Sequence, residues 1–231
     1  MKIAVFGISE FSVGKKILSD ERLDKLSSIF HSPKTTYLQL EFVESSQLQA
    51  ADGILATQES KLDLAILDLE IIEKILPNVP ESQDLFLRCK QALEKETFLN
   101  EMNLTDEEKK ILANYNLISL RPIYFASPQE LKNIPETVQS TYKTLGMISF
   151  FTVNEKELRA WPIKNTTTAI EAAGLIHSDI QRGFIKAEVI GYEDLIKSGG
   201  INQAKSAGLM RLEDKNYIIK DADLIKFRFN V

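Results

Sequence analysis

Hydrophobic positions fall into runs of two kinds along the chain. "KIAVFGI" (2–8) is short, continuous and apolar, the pattern of a strand buried on both faces. "DERLDKLSSIF" (20–30) instead spaces Leu23, Leu26 and Phe30 as a helix does, with Asp20 as its N-cap. Residues 35–44, "TTYLQLEFVE", alternate as a strand, and "ADGILA" (51–56) reads as another. From about Leu62 the period turns helical: "LDLAILDLEIIEKIL" (62–76) ends at Pro77 and Pro80, because proline lacks the N–H and clashes with the preceding turn. "SQDLFLRCKQALEKETFLNEM" (82–102) predicts a second amphipathic helix, and "LTDEEKKILANY" (104–115) opens with Thr105 three residues before Glu108, a capping box.

"RPIYFA" (121–126) returns to a buried strand, and "IPETVQSTYKTLG" (134–146) predicts a helix stopped by Gly146. Beyond it come strand-like "ISFFTV" (148–153) and "ELRAWPI" (157–163), a helix "TAIEAAGLIHSDIQRG" (168–183), and strands "FIKAEVI" (184–190), "NYIIK" (216–220) and "LIKFRFNV" (224–231). The order implies an α+β fold in three parts. An α/β region covers 1–62 and 119–147, an antiparallel helical arm 63–118, and an α+β module of strands around one helix 148–231.

Composition sharpens this picture in a few places. At 231 residues and 44% hydrophobic content the chain can bury a core. A formal charge of −5 removes any global attraction to DNA or an anionic membrane. The acidity is local: residues 63–118 carry 6 basic and 12 acidic side chains, whereas 149–231 carry 12 and 11. One cysteine, Cys89, excludes an intrachain disulfide framework and any zinc site built on cysteines. The absence of a long apolar run or signal-like leader implies a cytoplasmic protein.

The first candidate for chemistry is "GISEFSVGKK" (7–16), a glycine-bearing stretch behind an apolar strand. A phosphate loop needs G-x-x-x-x-G-K-[ST], so that backbone amides wrap the phosphates, the lysine reaches them and the hydroxyl holds Mg²⁺. Here six residues separate Gly7 from Gly14, Lys16 follows Lys15 where a hydroxyl is required, and no helix begins at once. No catalytic triad and no metal site emerges elsewhere. His31 and His177 are the only histidines. Asp63, Asp68, Glu70 and Glu73 read as a solvated helix face rather than a carboxylate cluster, and Cys89 as a packed small side chain. His177 reads as a half-buried residue at a helix end, and Phe150, Phe151 and Trp161 as sheet core.

The C-terminal third, from "FFTVNEKELRAWPIKNTTTAIEAAGLIHSDIQRGFIKAEVIGYEDLI" to "GLMRLEDKNYIIKDADLIKFRFNV", closely resembles the TGS domain that closes the YchF/Obg-like ATPases. "LDLEIIEKIL" and "LTDEEKKIL" look like the ends of that family's coiled-coil insertion, and "DERLDKL" and "EFVE" like pieces of its G domain. The resemblance implies a G-domain remnant, a coiled-coil arm and a β-grasp TGS domain. In the family's register Gly14 and Lys15 fall on a later strand, so that Lys15 resembles the Walker lysine by coincidence of spacing. Where the family has Asp-x-x-Gly, this chain has Glu44, Ser45, Ser46 and Gln47; where it has Asn-x-x-Glu, the chain has Ser127, Pro128, Gln129 and Glu130. With three motifs altered, the resemblance implies a binding or regulatory protein that is not an enzyme and uses no cofactor.

Its expected partners are the ribosome, RNA or a ribosomal protein, and otherwise a full-length relative. Candidate contacts are Lys156, Arg159, Lys164, His177, Arg182, Lys186 and Arg228. The alternative is an ATP- or GTP-binding protein, or an ATPase or GTPase, with a rebuilt site using Lys15, Lys16 and Glu44.

Overall fold

A computed structural model of the chain describes residues 1–230. In chain order β1 (Lys2–Phe6), β2 (Gly14–Leu18), α1 (Glu21–Phe30), β3 (Thr35–Thr36), β4 (Leu38–Val43) and β5 (Gly53–Thr57) come first. Then follow α2 (Lys61–Ile75), α3 (Gln83–Leu93), α4 (Asp106–Leu112), β6 (Ile123–Ala126), α5 (Pro128–Leu131) and α6 (Ile134–Thr144). The last third holds β7 (Met147–Val153), β8 (Leu158–Lys164), α7 (Ala169–Ile176), α8 (Ser178–Arg182) and β9 (Phe184–Ile190), then α9 (Tyr192–Ser198), α10 (Ile201–Ser206), β10 (Arg211–Glu213) and β11 (Leu224–Phe229). Val231, the end of the last predicted strand, lies outside the described residues. Among the described residues no helix is long and apolar enough to cross a membrane.

The result is a mixed α/β fold with two sheets and two compact units. Residues 1–16 and 40–145 form the first unit, and 17–39 with the chain from Gly146 form the second.

In the first unit the sheet runs β2-β4-β1-β5-β6, with β1 parallel to β4 and β5, and β5 parallel to β6. The continuous apolar runs end up where such runs belong. Ile3 and Ala4 on β1 and Ile54, Leu55 and Ala56 on β5 are fully buried, covered on both faces. Leu64, Ala65 and Ile72 of α2 and Phe86, Cys89 and Leu93 of α3 join Ala4, Ile54 and Ala56 in one buried cluster. Each large side chain there contributes roughly 1.5–3 kcal/mol by leaving water.

Two expectations change in this unit. Asp68 is not on a solvated face: it is fully buried, because it lies four residues from both Leu64 and Ile72 on the inward stripe of α2. Its carboxylate accepts hydrogen bonds from the amides of Ile118 (2.7 Å) and Ser119 (2.8 Å) and from the Ser119 hydroxyl. The helix predicted over 82–102 stops at Leu93, and Glu96 then takes a left-handed φ of 55° that redirects the chain so that Phe98 and Leu99 are buried. The capping box does form. Thr105 Oγ1 accepts from the Glu108 amide at 3.2 Å, and Glu108 accepts from the Thr105 amide at 2.8 Å.

The second unit is built on a sheet of order β10-β9-β11-β7-β8-β3. β7 and β8 form an antiparallel pair with Phe150 opposite Trp161; β11 is antiparallel to β9 and parallel to β7. Successive residues on β7 face opposite ways. Phe150 packs with Ala169, Ala172 and Ala173 of α7, and all four are fully buried. Phe151 lies 5.8 Å under the guanidinium of Arg22 on α1, whose Leu23 and Leu26 are fully buried. Asp20 caps α1 as expected, accepting the Arg22 amide at 3.0 Å.

Here too the pattern and the fold part in places. Residues 216–220 form only an isolated bridge, Ile218 to Thr168, because Tyr217 turns its hydroxyl onto Asp223 at 2.7 Å; the edge is taken by β10 instead. The predicted helix 168–183 is two helices, broken at His177, whose extended backbone (φ −164°, ψ 142°) ends α7 and begins α8.

Candidate functional site

The stretch behind β1 is positioned by one glycine and one aromatic ring. Gly7 takes φ +69°, and a Cβ built on it would lie 1.8 Å from Ser60 Oγ, so the chain leaves β1 pressed against the segment after β5. Ser60 Oγ is itself 2.8 Å from Thr57 Oγ1. Phe11 is buried against Phe42, ring centroids 4.9 Å apart. Lys16 then lies along this anchor, its ammonium 4.7 Å over the Phe11 ring and 3.0 Å from Ser12 Oγ. Gly14, Lys15 and Lys16 are strand residues of β2. Glu44 is exposed at the end of β4, heading a short 3₁₀ turn without a side-chain cap.

At the end of β6, Ser127 and Glu130 form a complete capping box at the start of α5. Hydrogen bonds from the Ser127 hydroxyl, then the Tyr124 hydroxyl and the Ser127 amide, hold the Glu130 carboxyl far below the carboxylate range, at about 2. Close by in the same unit, the Lys61 ammonium lies 5.1 Å over the Phe125 ring. Thr57 ends β5, and Gly7, Glu44 and Ser127 follow the carboxyl ends of parallel strands, the edge where open α/β sheets bind ligands. Cys89 is fully buried, and burial pushes its thiol up to about 11.

The seven basic or histidine candidates of the second unit do not converge on one patch. Arg159 and Lys164 share β8, where the Arg159 guanidinium lies 4.3 Å over the ring of Trp161. Trp161 is half-buried rather than plain core: it stacks against Phe150 at 6.3 Å and donates from Nε1 to Thr152 Oγ1 at 2.9 Å, leaving its other face to Arg159. Beside this pair is a groove of about 470 Å³ lined by Tyr37, Gln39, Pro162 and Leu175 as well as Arg159 and Trp161. A second hollow of about 410 Å³, reaching Lys164 and Glu171, shares Pro162 and Leu175 with it. Leu175 is 53% exposed, so the groove has an apolar wall open to solvent.

The other candidates sit elsewhere. His177 is exposed, not half-buried, because it occupies the corner between two short helices; its Nδ1 accepts the Asp179 amide at 3.1 Å, and Arg182 donates to Asp179 at 2.9 Å. Lys186 and Arg228 are cross-strand neighbours on β9 and β11, with Arg228 Nε donating to Glu188 at 2.7 Å. Lys156, in the turn between β7 and β8, lines a separate cavity. Sequence reasoning missed the contribution of residues 36–39 to the β8 groove, since a segment so distant along the chain carries no signal of its own. The Arg159–Trp161 stack was missed as well, since Trp161 is expected as sheet core, although their spacing of two on a strand puts them on one face.

The chain has clear relatives. The family model YchF-GTPase_C, described as "Protein of unknown function (DUF933)", matches residues 147–230. The "Ribosome-binding ATPase YchF" of Mycoplasma genitalium is 36% identical over 236 residues, covering 95% of this chain and 61% of that protein. The protein of the same name from Bacillus subtilis is 29% identical, over 74% of this chain and 65% of its own length. The chain thus spans less than two thirds of these curated relatives. Among solved structures, the Schizosaccharomyces pombe YchF GTPase superposes with a TM-score of 0.80 at 16% identity, covering 99% of this chain and 97% of that one, which shows a shared fold.

These names correct one expectation. The altered nucleotide motifs lead one to expect a protein outside the enzymes, whereas the relatives are named ATPases and the structural neighbour a GTPase, which points to an ATPase/GTPase enzyme family. Local motif spacing is a poor guide when the fold and most of the chain align with such proteins. On its sequence and its fold together, the chain belongs to the YchF family.

Proposed function

We propose that the chain is a cytoplasmic, ribosome-associated member of its family that contacts RNA through the β8 groove. In this reading residues 148–231 are a β-grasp TGS domain, 63–118 are the counterpart of the family's helical arm, and 1–62 with 119–147 are its reduced G domain. The observation that carries it is the Arg159 guanidinium 4.3 Å over Trp161 beside an open groove. Single-stranded RNA is recognised by stacking unpaired bases on aromatic rings and guanidinium planes, with cations on the phosphates. Arg159 and Trp161 supply the platform, and Lys164, farther along the same strand, the charge. A ribosomal protein seated on the acidic segment 63–118 is compatible with the same assembly.

Co-sedimentation of the chain with purified ribosomes at low salt tests this. Binding is expected, and Arg159→Gln combined with Lys164→Gln should weaken it about tenfold while leaving the melting temperature unchanged. No binding at low salt, or equal binding by the variant, would sink the assignment.

A second reading is favoured by the ATPase names of the relatives. It is nucleotide binding at the carboxyl edge of the first sheet, with Lys15, Lys16 and Glu44 as contacts. Calorimetric titration with ATP and GTP plus Mg²⁺ decides it: a saturable signal should disappear in the Lys15→Gln/Lys16→Gln variant, and a flat titration of the unaltered chain excludes the site.

A further inference from the structure

The second unit holds a cavity of about 600 Å³ that is separate from the β8 groove. Its floor is formed by Glu188 and Ile190 of β9 and by Leu224 and Lys226 of β11; Ile201 and Lys205 of α10 stand as one wall and the 154–156 turn as another. This volume lies within the range of small-molecule sites, about 300–1,000 Å³, and is too small to seat a folded partner.

The charges around it are unequal in their freedom. Three lysines, Lys156, Lys205 and Lys226, come from three separate elements and are all exposed. The acids are Glu155 at the rim and Glu188 in the floor. Glu188 is buried, with 7% of its side chain accessible, and is engaged by Arg228 through Nε at 2.7 Å and through Nη2. That contact, aided by the charges of Lys205 and Lys226, holds its carboxyl below the usual range, and its short-range partner, Arg228, stands outside the cavity lining. Lys205 reaches Glu188 only at 3.8 Å, and neither Lys156 nor Lys226 takes part in an ion pair among the described residues.

The arrangement therefore sets apolar side chains (Ile190, Ile201, Leu224) beside three ammonium groups, of which Lys205 faces Glu188 at 3.8 Å while Lys156 and Lys226 join no ion pair among the described residues. A lysine acts as a point charge toward phosphate, without the planar demand of arginine, so three of them on separate elements suit a compact anion. An anion alone would leave the apolar surface wet; an apolar molecule alone would leave the lysines unanswered. We propose that this cavity binds a small organic phosphate, a molecule with one apolar body and one phosphate group, with Lys156 and Lys226 on the phosphate and Ile190, Ile201 and Leu224 against the body. The proposal stands independently of the ribosome reading, since the cavity shares no lining residue with the β8 groove.

The probe is 1-naphthyl phosphate, titrated into the isotope-labelled full chain and followed by amide shifts, with 1-naphthol and inorganic phosphate run separately. Saturable shifts are expected at 153–156, 188–190, 201–205 and 224–226, with at least tenfold weaker binding for naphthol and for inorganic phosphate. Lys156→Gln/Lys226→Gln should weaken naphthyl phosphate binding at least tenfold while leaving naphthol binding unchanged. Both lysines are exposed, and amide positions outside the cavity report whether the variant keeps its fold. Ile201→Asp, on the wall, gives a second variant that should abolish binding of both naphthyl compounds. The proposal is overturned by shifts that do not saturate or that map elsewhere, by equal binding in the lysine variant, or by inorganic phosphate binding as tightly as the naphthyl ester.

Discussion

Asp68 and Ser119 stand 51 positions apart and are joined twice: the Asp68 carboxylate accepts both the amide of Ser119, at 2.8 Å, and its hydroxyl. With the Ile118 amide at 2.7 Å, one buried side chain on α2 organises the turn that leads into β6. Burial raises the Asp68 pKa, and the Ser119 and Ile118 donors pull it down. Asp68→Ala would strand three buried donors, at about 1–3 kcal/mol for the worst of them and less for those that water reaches. A loss of about 3 kcal/mol in urea unfolding is expected for Asp68→Ala, and a smaller one for Asp68→Asn, whose carbonyl still accepts. An Asp68→Ala loss below about 0.5 kcal/mol, the level of ordinary surface changes, would show that the link bears no load.

Gly7 makes a different demand, steric rather than electrostatic. Its φ of +69° and the 1.8 Å approach of Ser60 Oγ to a built Cβ leave no room for alanine. Gly7→Ala should cost roughly 1–3 kcal/mol for the backbone conformation alone, and more for the collision. Adding Ser60→Gly should recover the collision part and not the backbone part. Thermal melts of the three variants separate the terms, and a double variant no better than Gly7→Ala would place the strain elsewhere.

Glu130 gives a pH dependence with a definite sign. Its folded pKa, about 2, is depressed below the ordinary 4.5 by the Ser127 and Tyr124 hydroxyls and the Ser127 amide. The stability it contributes is therefore fully present above about 4.5 and is lost as pH falls through about 2. Glu130→Gln should melt lower than the unaltered chain at neutral pH, and the difference should shrink steadily on acidification over that window. A difference constant from neutral pH down to the acid end would assign the effect to packing.

Trp161 is the chain's one tryptophan, so its emission reports the β8 groove without interference. A short single-stranded RNA that stacks there should quench it, and Arg159→Gln should shift the titration to higher RNA concentration. Trp161→Phe keeps a ring under Arg159 but loses the 2.9 Å bond to Thr152, so about 1 kcal/mol of stability should go with it. RNA that binds without changing Trp161 emission would move the contact to another surface.

What could be read in advance follows a physical divide. Local chemistry was legible: Asp20 and Thr105 cap the helices assigned to them, and the uninterrupted apolar runs of β1 and β5 are buried on both faces. Asp68 was misjudged although its spacing from Leu64 and Ile72 was in plain view, because an acidic residue was given to solvent by type and not by phase. His177 broke a helix that periodicity carried through, since its ring nitrogen bonds a backbone amide two residues on. The helices α9 and α10, and with them the cavity residues Ile201 and Lys205, lie in segments with no alternation to mark them. The β8 groove needed residues 36–39 beside 159–162, a proximity that only the folded chain creates.

The six-stranded sheet closes at its two margins with strands of three residues, Arg211–Glu213, and two residues, Thr35–Thr36. Such short marginal strands themselves offer few backbone groups to another chain, and Pro162 on the neighbouring β8 has no amide to donate, both of which work against edge-to-edge association. Recognition at these margins therefore reads side chains, as the Arg159–Trp161 pair beside the two-residue strand offers them.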